Sequence, residues 1–246
     1  MSNLIILLGV SLGINLLMFI PAYIKQTDKL TDISYAVSFG VLAVAGYLVS
    51  ADDFLHGLPL VLVIIWALRL GTFLFVRINK MKRDKRFDGI REKFTSFLSF
   101  WLIQGLTVWV VMTSSLLFFA SEPVESPVVW LGLFIWALGM LVEAIADAEK
   151  TQWSKDPANR GKWIADGLWS ISRHPNCLGE MMCWIGIYIL VFPSLTTTNK
   201  LIALISPLFI IGLISFVSGI PKLKQYADKT WGDNAEYQKY KKNTPV

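Results

Sequence analysis

The sequence predicts an all-α, polytopic integral membrane protein with about seven transmembrane helices, its N-terminus outside and its C-terminus in the cytoplasm. Three observations support this fold class. First, the chain of 246 residues is 54% hydrophobic and 17% charged, whereas soluble domains carry about 25% charged residues. Second, the charged residues cluster between apolar runs that are long enough to cross a bilayer. Third, the loops between these runs alternate in positive charge.

The apolar runs define the expected spans, since a membrane-spanning helix needs about 20 mostly apolar residues. They occupy residues 2–23, 33–50, 54–76, 95–120, 127–146, 177–194 and 199–219. The first is interpreted as a retained span rather than a signal peptide, because no small-residue cleavage site follows it. The second is short and contains Ser34, Tyr35, Ser38 and Tyr47. A half-buried or re-entrant segment therefore stays an alternative for it.

The basic residues set the expected orientation. Of the 23 Lys and Arg residues, 21 lie in the loops after the first, third and fifth spans or in the tail from Ser218, and only Arg69 and Lys200 lie elsewhere. The positive-inside rule places those segments in the cytoplasm. This topology accounts for the net charge of +5. The bilayer is therefore the expected partner, and no nucleic-acid partner is expected.

The cysteines and histidines indicate no metal centre. Cys177 and Cys183 stand six residues apart at the start of one span, which is neither a disulfide framework nor a metal-ligand spacing. They are interpreted as small packing residues. His56 and His174 are the only histidines, so no metal site is expected. The chain also has no glycine-rich phosphate loop and no internal repeat.

Ionisable residues inside spans are functional candidates, because a charge in the membrane is costly. Arg69 lies in the middle of the third span. It is equally well interpreted as a functional-site residue or as the structural partner of an acid on another helix. Glu143 and Asp147 lie at the cytoplasmic end of the fifth span, and their i, i+4 spacing puts both carboxylates on one helix face. A cation or ligand between them would relieve their repulsion. A solvated helix end is the alternative.

The densest group of polar residues is the segment 166–180. Pro175 suits the first turn of a helix, so Arg173 and His174 should stand at the start of the sixth span. Asn176 and Glu180, again at i, i+4, should face the same way just inside it. Such a group at a helix N-terminus favours an anionic ligand that forms hydrogen bonds. An interfacial anchor with an extended arginine is the alternative.

This segment, Gly167-Leu-Trp-Ser-Ile-Ser-Arg-His-Pro-Asn-Cys-Leu-Gly-Glu180, with Trp184-Ile-Gly186 after it, resembles a known signature. It is that of the steroid 5α-reductase-like membrane family, in the bacterial branch long known as a domain of unknown function. The resemblance covers nearly the whole chain. Other matching segments are residues 31–35, 66–71 with Arg77, 84–87, 146–150, 156–162, 218–221 and 231–245.

The resemblance implies a seven-helix reductase that binds NADPH at the cytoplasmic face of a bacterial inner membrane. It would transfer hydride to a carbon–carbon double bond conjugated to a ketone, in a steroid or similar lipid. Within a single membrane domain, residues 1–94 would be the substrate-side spans and residues 95–246 the nucleotide-binding spans and tail. The cofactor-binding positions carried over are Asp147, Asn159, Arg160, Arg173, His174, Asn176 and Glu180. Basic candidates for the 2′-phosphate are Arg77, Arg86, Lys155, Arg160 and Lys162.

The chain departs from the family's pattern at two places. An aromatic residue often follows the asparagine of the signature, and here Cys177 stands there. The tyrosine that helps to hold the substrate ketone in animal steroid reductases aligns with Trp66. Trp66 is therefore the expected substrate residue, and the natural substrate is left open between a steroid and another lipid.

A reductase of this kind needs a group that donates a hydrogen bond or proton to the carbonyl as enolate charge develops. Tyr35 is the first catalytic candidate and Asp32 its expected partner, with Tyr47 and Trp66 as weaker candidates. An interfacial aromatic anchor is the alternative for Tyr35.

Two other functions stay open. Isoprenylcysteine carboxyl methyltransferases share an Arg-His-Pro helix start and bind S-adenosylmethionine nearby. Against them, Gly179-Glu180 suits the reductase signature, and Lys222 and Lys224 occupy the place where their tail carries paired acids. A non-enzymatic lipid carrier with the same fold is the third hypothesis. It should bind no pyridine nucleotide.

Overall fold

The structure, a computed structural model, describes residues 2–50, 53–81 and 87–246. Within these ranges it has seven helices that are long and apolar enough to cross a membrane, and this confirms the all-α, polytopic membrane fold. One candidate for the 2′-phosphate, Arg86, lies outside the described residues.

The helices follow the predicted runs closely. They are α1 (Ser2–Ile24), α2 (Lys29–Tyr47), α3 (Phe54–Met81), α4 (Phe94–Phe118), α5 (Pro127–Trp153), α6 (Leu168–Ile171), α7 (Pro175–Val191), α8 (Thr197–Ala203), α9 (Ile205–Gly212), α10 (Ile220–Trp231) and α11 (Ala235–Asn243). Short 3₁₀ helices cover Pro157–Asn159 and Phe192–Ser194, and a π-helical turn covers Leu213–Val217.

Three elements refine the expected spans. The second span is one continuous helix of 19 residues, so the re-entrant alternative is wrong. The fifth continues beyond residue 146 to Trp153, which places Asp147 on the helix. The last is divided between α8 and α9 and ends in the π turn, where the Ser218 N–H donates to the Leu213 carbonyl. Pro221 then sits in the first turn of α10, where its missing N–H costs nothing.

The chain forms two compact units. The first contains Met1–Ser126 and Val191–Ser206, and the second contains Pro127–Leu190 and Pro207–Val246. The expectation that residues 1–94 serve the substrate and residues 95–246 the nucleotide concerns function, and it stays a prediction.

A buried polar network ties three helices of the first unit together. The Gln104 amide on α4 donates to Asn15 Oδ1 at 2.9 Å and to Ser34 Oγ at 2.8 Å. Asn15 on α1 donates in turn to Ser38 Oγ on α2 at 3.0 Å. Buried polar groups need such partners. Ser34 and Ser38 of the short second span therefore face a protein interior and not lipid.

Candidate functional site

The second unit is organised around a close crossing of α5 and α7. Each helix has two glycines seven residues apart, Gly132 and Gly139 on α5 and Gly179 and Gly186 on α7. A Cβ atom on Gly179 would lie 2.6 Å from the backbone N of Glu143, and one on Gly186 would lie 2.6 Å from the backbone N of Trp136. Only glycine permits backbones to approach so closely, and small residues serve this purpose in membrane helices.

This crossing brings together the polar residues that the sequence singled out on the two helices. Glu143 is 3% and Asp147 8% exposed. Both carboxylates, together with Glu180 and the ammonium group of Lys150, act electrostatically at Cys177 on α7. The residues whose charges act at Cys177 therefore come from both helices, near the point where α7 begins.

The turn before α6 is held by Glu149, which the sequence alone did not single out. Gly167 has a φ of +57°, and a Cβ atom there would collide with the carboxylate of Glu149. That carboxylate accepts the Leu168 N–H at 3.0 Å. The indole of Trp169 then donates to the Ala146 carbonyl at 3.1 Å. The signal was present as a glycine directly before a Leu-Trp pair, but the acid that caps this turn lies in a distant part of the sequence.

Arg173 and His174 stand directly before α7, as predicted. The His174 carbonyl accepts the first helical N–H, from Leu178, at 3.1 Å. Burial, and then the positive charges of Arg173 and Lys150, lower the pKa of His174 from 6.5 to about 4. The imidazole is therefore neutral at neutral pH. A neutral ring can donate one hydrogen bond and accept another.

Two buried polar atoms beside His174 have no hydrogen-bond partner among the described residues. They are the side-chain oxygen of Asn176 and the Nε of Arg173. A buried polar group without a partner costs free energy, so each such group in a native protein needs an explanation, and a ligand is one. One atom is an acceptor and the other a donor, which suits a polar ligand.

Asn159 and Arg160 lie apart from this group in their contacts. Asn159 donates to the Trp153 carbonyl at 2.8 Å and so ties the 3₁₀ turn to the end of α5. Arg160 is exposed, as is Lys155. No contact of these three side chains with the residues at the start of α7 is seen in the described chain, and their cofactor roles stay predictions.

A cavity of about 230 Å³ lies beside Arg173 and His174. The described residues that line it include four cationic groups and none that is acidic. The cationic groups are Lys150, Lys162, Arg173 and Lys224. Most of the remaining lining is aromatic. Its aromatic residues are Trp153, Trp163, Trp169, Tyr226, Trp231, Tyr237 and Tyr240.

The C-terminal tail forms part of this cavity. The Trp231 indole donates to the Gly161 carbonyl at 2.6 Å, and the Tyr240 hydroxyl donates to the Trp169 carbonyl at 2.6 Å. The backbone N–H of Arg173 donates to the Pro245 carbonyl at 2.8 Å. Burial raises the pKa of Tyr240 to about 12, so this phenol keeps the proton that it donates. The tail residues were part of the family resemblance, but no role in a binding site was predicted for them.

The catalytic and substrate candidates lie in the first unit. Asp32 pairs with Arg77 at 3.5 Å. The Tyr35 ring packs edge-to-face on Phe39, which packs in the same way on Trp66. Trp66 is only 1% exposed. The structure therefore gives Arg77, a 2′-phosphate candidate, a structural partner, and the roles of Tyr35, Asp32 and Trp66 stay predictions.

Comparison with known proteins gives two matches. A protein-family model described as "Protein of unknown function (DUF1295)" matches residues 18–244. A "Probable O-methyltransferase ustE" of Ustilaginoidea virens is 34% identical over 56 residues, which are 23% of this chain and 20% of that protein. The chain thus matches about a fifth of the length of this curated relative. No solved structure matches.

Proposed function

The chain belongs to the family described as Protein of unknown function (DUF1295), and from that premise we propose that it is an NADPH-dependent membrane reductase. Its reaction would be reduction of a carbon–carbon double bond conjugated to a ketone, in a steroid or related lipid. The observation that carries the proposal is the cavity beside Arg173, whose described lining has four cationic side chains and no acidic one.

The sign of the charge favours a polyanionic cofactor. NADPH carries about four negative charges, and charge-assisted hydrogen bonds to phosphate are among the strongest that a protein makes. Lys150 on α5, Lys162 in the loop after it and Arg173 before α7 supply donors for such bonds. Aromatic walls suit a cofactor that has flat rings.

The partnerless atoms at the start of α7 test the fit of the cofactor. Asn176 Oδ1 is a buried acceptor and Arg173 Nε a buried donor. NADPH has both amide and hydroxyl donors and phosphate acceptors, so its chemical groups are of the kinds that these two atoms require. The carboxylates of Asp147 and Glu180 are suited to accept hydrogen bonds from ribose hydroxyls. The residues present therefore fit the group.

The chemistry divides between the cofactor and the protein. When bound, NADPH supplies the hydride. The chain's own residues would hold the nucleotide at Arg173, Asn176 and Glu180, while neutral His174 offers one donor and one acceptor. Tyr35 stays the proposed donor to the substrate carbonyl, with Asp32 as its partner, because an oxyanion forms there as the enolate develops.

A methyltransferase is the second candidate, and the similarity to a protein named as a probable O-methyltransferase favours it. Its cofactor, S-adenosylmethionine, has a positively charged sulfonium group and no phosphate. The carboxylates at the crossing of α5 and α7 suit that cation, but the four cationic groups of the cavity repel it. The charge of the cavity therefore ranks the reductase first.

Calorimetric titration of the purified full chain in detergent tests the two candidates. We expect NADPH to bind, S-adenosylmethionine to bind weakly or not at all, and enone-dependent loss of NADPH absorbance to follow. Arg173→Gln should weaken NADPH binding by at least tenfold, whereas Lys222→Gln, which removes the charge of an exposed basic residue outside the cavity, should leave it unchanged. Tight binding of S-adenosylmethionine without NADPH binding would replace the reductase with the methyltransferase. Binding of neither cofactor would favour the lipid carrier.

A further inference from the structure

One side of the cavity is built by residues that belong to no predicted cofactor site. The α10 helix contributes Lys224, Tyr226 and Trp231, and α11 contributes Tyr237 and Tyr240. The loop after α5 contributes Lys162 and Trp163. The tail and the loop after α5 thus form two walls of the same cavity.

The two walls carry the same chemistry. Trp163 packs edge-to-face on Tyr237 with ring centroids 5.3 Å apart, and Trp231 lies 5.8 Å from Tyr237. Each wall also has an exposed lysine, Lys162 on the loop and Lys224 on α10, for which the described residues show no ion pair. By contrast, Lys241 in the same tail is neutralised by Asp228 at 2.6 Å.

Flat rings with lysines at their margin recognise a planar heterocycle that carries phosphate. Aromatic side chains stack on bases of any sequence, and lysine binds phosphate as a point charge. A volume of about 230 Å³ is below the usual range of about 300–1,000 Å³ for a whole ligand. The cavity therefore suits one end of a dinucleotide and not its full length.

We propose that the cavity holds an adenosine phosphate, and that the C-terminal tail, through Lys224, is a specificity-determining wall that selects NADPH over NADH. This inference rests on the proposed function. Lys224 and Lys162 would bind the phosphate on the adenosine ribose, which NADH lacks. The 2′-phosphate contacts then come from the cavity lysines and the tail. Exposed Lys155 and Arg160, which the sequence suggested, do not line the cavity.

A phosphate could also come from a lipid headgroup, because the protein lies in a bilayer. The density of aromatic rings around the cavity favours the nucleotide, since a headgroup offers no flat ring to stack on. The two sources give different results in binding experiments with and without anionic lipid.

The experiment measures dissociation constants of the full chain for NADPH, NADH and adenosine 2′,5′-bisphosphate, in nanodiscs of neutral lipid. Lys224→Gln and Lys162→Gln are compared with Lys222→Gln, a matched change at an exposed lysine on α10 that does not line the cavity. We expect each cavity variant to lower the affinity for NADPH and for the bisphosphate by about tenfold. NADH affinity and all values for Lys222→Gln should stay unchanged.

The outcomes separate the inference from the proposed function. If NADPH binds but both cavity variants keep the wild-type preference over NADH, the tail is not a specificity wall and the inference fails while the reductase stands. If NADPH does not bind, the reductase fails. In that case, bisphosphate binding that depends on Lys224 still supports the adenosine phosphate site, and its absence overturns that site. If anionic-lipid nanodiscs abolish bisphosphate binding in competition, the phosphate recognised is that of a headgroup and the adenosine assignment is overturned.

Discussion

Replacement of Gly179 by alanine tests whether the site depends on the crossing of α5 and α7. The new Cβ atom would lie 2.6 Å from both the Glu143 backbone N and the Gly139 carbonyl oxygen. An ordinary contact of this kind is 3.4–4 Å, so the helices must separate by about 1 Å. The contacting atoms belong to backbone, which cannot rotate away as a side chain does.

The expected cost follows from two opposing effects. Alanine gains up to about 1 kcal/mol over glycine in helix propensity, while overpacking a tight contact costs about 1–3 kcal/mol. With the full gain in propensity, the net loss of stability is about 0–2 kcal/mol. Because Asn176 and Glu180 are on the same helix, they would shift relative to Asp147, and NADPH affinity should fall as well.

Thermal unfolding in detergent, with and without NADPH, measures both effects. Gly13→Ala is the matched control, since nothing lies within 4 Å of a Cβ atom at that position of α1, and it should be neutral or stabilising. Gly186→Ala is the second variant, because it meets Trp136 at 2.6 Å two turns deeper in α7. It should lower stability with less effect on NADPH affinity. If Gly179→Ala is as stable as Gly13→Ala, the close crossing does not hold the site.

Three further predictions concern single groups and topology. First, since the pKa of His174 is lowered from 6.5 to about 4, the unfolded chain binds a proton between these pH values that the native chain does not. Native stability should fall as pH falls from 6.5 towards 4, by about 1–2 kcal/mol after allowance for the exposed part of the ring. Thermal unfolding measured across this pH range should show a flatter profile for His174→Asn. An equally steep profile for the variant would contradict the assignment. Second, Glu180→Gln should weaken NADPH binding by about 1–3 kcal/mol with little change in the stability of the ligand-free protein, and an unchanged ligand-induced shift in unfolding temperature would remove this residue from the site. Third, a reporter fused after Val246 should report cytoplasm and one inserted near Glu125 should report the outside, as the distribution of basic residues requires; a cytoplasmic signal at Glu125 would break the seven-span topology.

The spans were predictable because their signal is local. A run of about 20 apolar residues has few alternatives to a membrane helix, and even the polar second span was located to within a few residues. The extra length of α5 was not predicted, because hydropathy falls after residue 146 while the helix continues to Trp153. Helix formation there depends on propensity and on the packing of Ala146 against Ile164 and Trp169, which hydropathy does not measure.

The candidate site was predictable only in part. Arg173, His174, Asn176 and Glu180 were singled out because they are polar residues in an apolar context. Glu149 was missed, because its carboxylate caps a turn that follows in the chain only at Gly167. The tail was missed for the same reason, since Tyr240 and Trp231 reach carbonyl groups about 70 residues away in sequence. Contacts between distant segments are set by the fold, and no local pattern encodes them.

The glycines at the crossing link the packing of α5 against α7 to the polar residues of the candidate site. In the sequence, Gly179 and Glu180 are adjacent residues with separate interpretations. In the structure the absent side chain of Gly179 lets α7 approach the backbone of Glu143, and Glu180 follows directly on the same helix. A larger residue at Gly179 would leave every polar group of the segment in place in the sequence and still separate the two halves of the site. The Gly179→Ala and Gly186→Ala variants therefore test whether NADPH binding depends on the spacing of α5 and α7. They do so without changing any residue proposed to bind the nucleotide.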